Sequence, residues 1–91
     1  MSNSTLGMDN VIGVADVRAV VVETLGIEDR ADALDAETRL TSIPEVDSLA
    51  VVELVVEFER RFGIAFDDED VTAEVFETIG SLTAFLNAKV R

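Results

Sequence analysis

The sequence predicts one all-α domain, with three principal helices, a short one, and a long loop between the first and second. Three observations carry that reading. Apolar residues recur at three- and four-residue spacing in three separate segments, and no period-two alternation survives across VVELVVEF at 51–58. Glycine follows two of those segments where a helix would stop. With 91 residues, 48% of them hydrophobic, the chain has room for one core and enough apolar surface to build it despite a net charge of −12.

Residues 1–9 are polar and read as a flexible N-terminal tail ahead of a folded domain at 10–91. The first helix is expected over residues 10–25. Val14, Val17, Val21 and Leu25 share one side of it, Gly26 lies past its end, and Asp9, Asn10 and Asp16 are each able to cap its start. Residues 26–47 form a connection with no clear period, in which Leu34, Leu40 and Ile43 are spaced to pin it onto a core. Pro44 forces Ile43 out of helical geometry.

The second helix is expected over residues 48–62. Its valines favour a strand by propensity alone. At about 100° per residue, however, Val51, Leu54, Val55, Phe58 and Phe62 fall on one face. Gly63 follows as a stop, and Arg60 and Arg61 complement the negative end of the helix dipole. Next, the run DDED at 67–70 reads as the acidic start of a short helix carrying Val71, Val75 and Phe76. The last helix follows Thr78, turning Ile79, Leu82, Phe85 and Leu86 inward, with Lys89 and Arg91 at its C-terminal end.

Composition removes several classes of chemistry. Without Cys there is no disulfide framework, thiol nucleophile or thiolate metal site. Without His the usual general base and the commonest metal ligand are missing, so no catalytic residue and no enzyme activity are predicted. The DDED run lacks the alternating ligands and turn glycine of an EF-hand loop, which makes capping its better account and predicts no metal site. Nineteen acids against seven bases repel phosphate backbones and anionic lipid. Neither nucleic acid nor membrane is therefore an expected partner, whereas basic protein surfaces are. No apolar run approaches the roughly 18 residues of a membrane span. The opening MSNSTLGMDN has neither a basic n-region nor an apolar h-region, and the reading is a cytoplasmic monomer.

Leu49, Val52 and Val56 fall off the core stripe of the second helix and line up on another face. A helix in a small bundle needs one apolar stripe. The pattern leaves two readings open: a wider buried face that includes contact with the first helix, or an exposed docking patch. The patch, flanked by Glu53, Glu57 and Glu59, would suit a partner with apolar pockets ringed by Lys and Arg. At the start of the same helix stands Asp47-Ser48-Leu49. Either Asp47 or Ser48 can serve as a plain N-cap. The position also suits a phosphate ester on Ser48, at the positive end of the helix dipole and near unpaired backbone N–H groups. With no His to activate it, Ser48 is a poor catalytic nucleophile and better placed to be modified by another enzyme.

The long loop ending in Asp47-Ser48-Leu49, the helix LAVVELVVEFERRFGI, the acidic DDED segment and the ending FETIGSLTAFL occur in one order and spacing. With the acidity and length, they make residues 10–90 resemble the acyl carrier protein family. The resemblance implies a four-helix bundle of acyl-carrier type whose third helix is short. It implies that Ser48, next to Asp47, receives 4′-phosphopantetheine from coenzyme A through a separate phosphopantetheinyl transferase. The thiol of that arm then holds an acyl group as a thioester, in keeping with a chain that has no Cys of its own. Docking of acyl-loading and acyl-transferring enzymes, with basic docking surfaces, falls by this resemblance to Asp47, Leu49, Val52, Glu53, Val56 and Glu59.

The chain also departs from the usual pattern. Ile43-Pro44-Glu45-Val46 stands where fatty-acid carriers read Gly-Ala or similar, Ala50 where many have an acid, and Arg60 and Arg61 where acids often continue. The segment between Phe66 and Thr78 is slightly long. The stretches PEVDSLAVVELV and AEVFETIGSLTAF are more similar to stand-alone accessory carriers of polysaccharide, exosortase-associated or secondary-metabolite clusters. Two alternatives accompany this reading. One is an aminoacyl or peptidyl carrier, which more often has Gly-Gly just before the serine. The other is a non-carrier helical interaction module in which Ser48 only caps.

Overall fold

A computed structural model describes residues 11–90 and contains three long helices: α1 (Val14–Leu25), α2 (Ser48–Phe62) and α3 (Ile79–Lys89). The tail expected at 1–9, together with Asn10 and Arg91, lies outside the described residues.

Helix α1 begins at Val14, the first residue of the apolar spacing, within the stretch from residue 10 over which the sequence leaves its start open. Gly13 is the N-cap residue, and Asp16 serves it from inside the first turn, its Oδ2 accepting the Gly13 N–H at 2.9 Å. Val20 and Val22 are buried alongside Val17 and Val21, while Val14 and Leu25 are only partly buried, so the inward arc is wider than one stripe. Gly26 and Gly63 end α1 and α2 at φ of 72° and 65°, a left-handed conformation that strains any residue with a Cβ.

The long loop, which shows no period in the sequence, folds into two 3-10 turns, Glu28–Ala33 and Leu40–Ser42. Their threefold repeat is too short to register against a 3.6-residue pattern. Leu34, Leu40 and Ile43 are buried, as their spacing predicts. Backbone bonds stitch the loop to the start of α3: Leu40 N–H to the Glu77 carbonyl at 3.0 Å, Ile79 N–H to Thr38 at 3.1 Å, and Gly80 N–H to Ala36 at 2.8 Å. A Cβ on Gly80 would stand 2.8 Å from the Ala36 oxygen, so the approach leaves no room for one.

Leu54 and Phe58 of α2 are fully buried in one cluster with Val17 and Val21 of α1 and with Ile79 and Leu82 of α3. Helix α1 packs against both other helices. Thr78 caps α3 through a reciprocal pair with Ser81, each side-chain oxygen accepting the other's N–H at 3.0 Å. At the far end of the helix, the Asn87 amide side chain meets both backbone groups of Ile12, at 2.7 and 2.8 Å.

The short third helix is tighter than expected. The acids are themselves the helix, a 3-10 turn at Asp68–Asp70, and Val71 beyond it is exposed while Phe76 is buried. Asp70 Oδ2 accepts the Asp67 N–H at 2.8 Å, a local bond that competes with α-helical continuation, and the β-branched Val71 and Thr72 follow. Lys89 Nζ lies 2.8 Å from Asp70. That hydrogen bond, with the Asp67 backbone bond behind it, holds the Asp70 carboxyl below the usual carboxylate range and raises Lys89 above its own ordinary value. Among the described residues, no helix is long and apolar enough to cross a membrane.

Candidate functional site at the start of the second helix

The two candidate caps of α2 separate cleanly. Asp47 is the N-cap: its Oδ1 accepts the Ala50 N–H at 2.8 Å and its carbonyl accepts the Val51 N–H at 3.0 Å. Ser48 is therefore the first helical residue, and it is exposed. Its hydroxyl has no hydrogen-bond partner among the described residues, nor do the backbone N–H groups of Ser48 and Leu49. A free hydroxyl thus sits beside two unpaired donors at the positive end of a 15-residue helix. These groups fit a phosphodiester on Ser48 Oγ, since the ester needs an accessible oxygen and its negative charge gains from nearby N–H donors.

The surroundings help in two ways. Glu45 is hydrogen-bonded to Arg30, which holds that carboxyl below its usual range and offsets its negative charge near the serine. A groove of about 390 Å³ also opens beside the helix start, lined by Leu40, Val46, Val51, Ala73 and Phe76. Arg39 and Glu77, paired at 3.5 Å, line it too. Val46 and Val51 stand two residues before and three after Ser48, which is not itself in the lining, and the apolar walls suit a short apolar chain. A larger hollow of about 830 Å³, among Ile12, Arg61, Phe62 and Lys89, lies at the opposite end of α2.

The second apolar stripe is out in solvent: Leu49 is 66% exposed, Val52 58% and Val56 46%. That sets aside the wider buried face. Glu53 is exposed beside them and has no ion-pair partner among the described residues. Glu57 is held by Arg60 at 2.9 Å and Arg61 at 3.3 Å. Glu59 is drawn away from the stripe, its Oε2 accepting the Phe66 N–H at 2.8 Å and tying α2 to the segment that follows. Ala50, standing where many carriers have an acid, is buried, and an acid there would lose its water. Sequence reasoning missed Arg60 as a surface residue of the stripe, reading it as an end-of-helix charge and as a base where carriers often have an acid. The signal was its spacing of four residues after Val56.

Residues 15–86 match the family model described as the phosphopantetheine attachment site. An acyl carrier protein of Thermotoga maritima is 31% identical over 74 residues, covering 81% of this chain and 86% of that protein. Another, from Helicobacter hepaticus, is 39% identical over 72 residues, covering 79% and 90%. The chain belongs to the acyl carrier protein family. A solution structure of a holo acyl carrier protein from Nitrosomonas europaea superposes with a TM-score of 0.76 at 36% identity, covering 82% of this chain and 92% of that one. The all-α bundle is thus the acyl carrier fold, and the chain is a phosphopantetheine-bearing acyl carrier with 4′-phosphopantetheine as its covalent prosthetic group. Acyl carrier proteins are carriers rather than catalysts, and their partners are acyl-handling biosynthetic enzymes and a phosphopantetheinyl transferase.

Proposed function

We propose that Ser48 Oγ carries the phosphopantetheine arm and that enzymes reach the attached acyl group by docking on the outer face of α2. The observation that carries this reading is the free, exposed Ser48 hydroxyl at the first helical position, beside the unpaired N–H groups of Ser48 and Leu49. When bound, the arm supplies the thiol that holds the acyl group, the side chains of this protein having none. Asp47 acts on the serine through geometry: by capping Ala50 it fixes the first turn of α2 and hence the direction in which Ser48 is presented. Leu49, Val52, Glu53 and Val56 form the docking face. Glu59 supports it from behind by anchoring the chain at Phe66.

The chain itself catalyses nothing in this reading. It is a cytoplasmic monomer, loaded by a separate transferase and visited by acyl-loading and acyl-transferring enzymes whose docking surfaces carry basic residues. The acid-rich chain, at a net charge of −12, supports such partners.

The test is intact mass after incubation with coenzyme A and a broad-specificity phosphopantetheinyl transferase, with circular dichroism confirming that each variant is helical. The wild-type chain is expected to gain one phosphopantetheine and a folded Ser48→Ala variant none. A gain that survives Ser48→Ala would overturn the assignment of Ser48.

A further inference from the structure

Leu49, Glu53, Val56 and Arg60 stand at i, i+4, i+7 and i+11 on α2, so they form one line along its outer face, with Val52 beside them. The charges on and beside that line are unequal in freedom. Glu53 is exposed and has no ion-pair partner among the described residues. Arg61 is held from two sides, by Glu23 at 2.7 Å and by Glu57 at 3.3 Å. Arg60 touches Glu57 with one nitrogen, yet its side chain remains 71% exposed, and an ion pair that wet contributes little. Beyond Ser48 the outer face therefore runs from an apolar residue to a free carboxylate, then to a second apolar residue, and ends on an available guanidinium. Glu53 and Arg60 are two turns apart, about 10 Å along the axis.

A net charge of −12 draws basic surfaces in general. A uniformly basic surface laid along α2 would nevertheless put like charge against Arg60. We propose that this face takes an acyl-handling enzyme whose contact surface is itself two-signed. That surface would offer an apolar pocket for Leu49 and Val56, a basic side chain opposite Glu53 and an acidic side chain opposite Arg60. The proposal rests on the Ser48 reading, because the serine marks the end of the strip that must meet the partner's active centre. With the signs in this order, a partner docked the other way round would meet like charge at both ends, so the strip sets orientation as well as partner choice.

A broad-specificity phosphopantetheinyl transferase with a basic carrier-binding face serves as the mismatched probe, its kcat/KM followed by intact mass at low ionic strength. Arg60→Glu is expected to raise kcat/KM about threefold, Arg60→Gln to raise it less, and Glu53→Lys to lower it. A paired Ala84→Glu/Ala88→Glu variant changes net charge as much as Arg60→Glu does, at exposed α3 positions, and is expected to stay near wild type. Reversing the basic residues of the transferase face to Glu one at a time should then give one substitution that speeds the wild-type chain but not Arg60→Glu. If Arg60→Glu is no faster than the Ala84→Glu/Ala88→Glu variant, or no reversal depends on Arg60, the two-signed surface is overturned while loading at Ser48 stands. A wild-type chain that gains no phosphopantetheine overturns the Ser48 reading and this proposal with it.

Discussion

The inner and outer faces of α2 draw on much the same residue types and meet opposite fates. On the inner face Leu54 and Phe58 are fully buried and Val51 and Val55 half-buried, whereas on the outer face Leu49, Val52 and Val56 stand in water. The cause lies in what the rest of the chain supplies. Helices α1 and α3 and the long loop bring their apolar residues to one core, and no described element covers the other side of α2. Apolar surface left in water forgoes about 25 cal/mol per Å² of stabilisation. Leu49, Val52 and Val56, with Glu53 beside them, are the apolar surface that the proposed docking would cover.

Substitutions on the two faces sharpen this contrast. On the inner face, Phe58→Ala is expected to cost about 3–5 kcal/mol, through lost burial and the cavity left behind. Urea unfolding measures it, and a cost under about 1 kcal/mol would mean that the core does not depend on α2 as described. At the boundary of the two faces, Asp47→Ala leaves the Ala50 N–H without its acceptor and should cost about 1 kcal/mol. The same variant should slow loading of Ser48, because the first turn then frays. A stability loss without any change in loading would confine Asp47 to a structural part. On the outer face, Val56→Ser should change stability by less than about 0.5 kcal/mol. A cost near that of a core residue would erase the distinction between the faces.

The helices were legible because amphipathic periodicity and left-handed glycines are local signals. Val51, Leu54 and Phe58 announce an inner face by spacing alone, and Gly26 and Gly63 mark the two ends. What the sequence hid was set by contacts between distant residues or by short-range competition. The two 3-10 turns of the long loop have too short a repeat to register, and the loop is held by bonds to Glu77, Ile79 and Gly80 some forty residues on. The acidic run reads as a helix start until Asp70 turns back on Asp67 and meets Lys89. At the site, Asp47 and Ser48 were legible as a pair, but which of them caps required geometry. Glu59 looks like one more surface acid, and only the fold reveals that the Phe66 N–H claims its carboxylate.

The link between Asn87 and Ile12 bears on how the bundle is born. Its partners are 75 residues apart, and one amide side chain satisfies both the N–H and the carbonyl of Ile12. A ribosome makes the chain from the Ile12 end, so those two backbone groups stay hydrated until Asn87 has been synthesised. Helix α1 shares that delay, since both helices that bury its valines lie downstream of it. The segment bearing Ser48 thus emerges well before α3, the last helix of the bundle that will brace it. Closure of the bundle waits for α3.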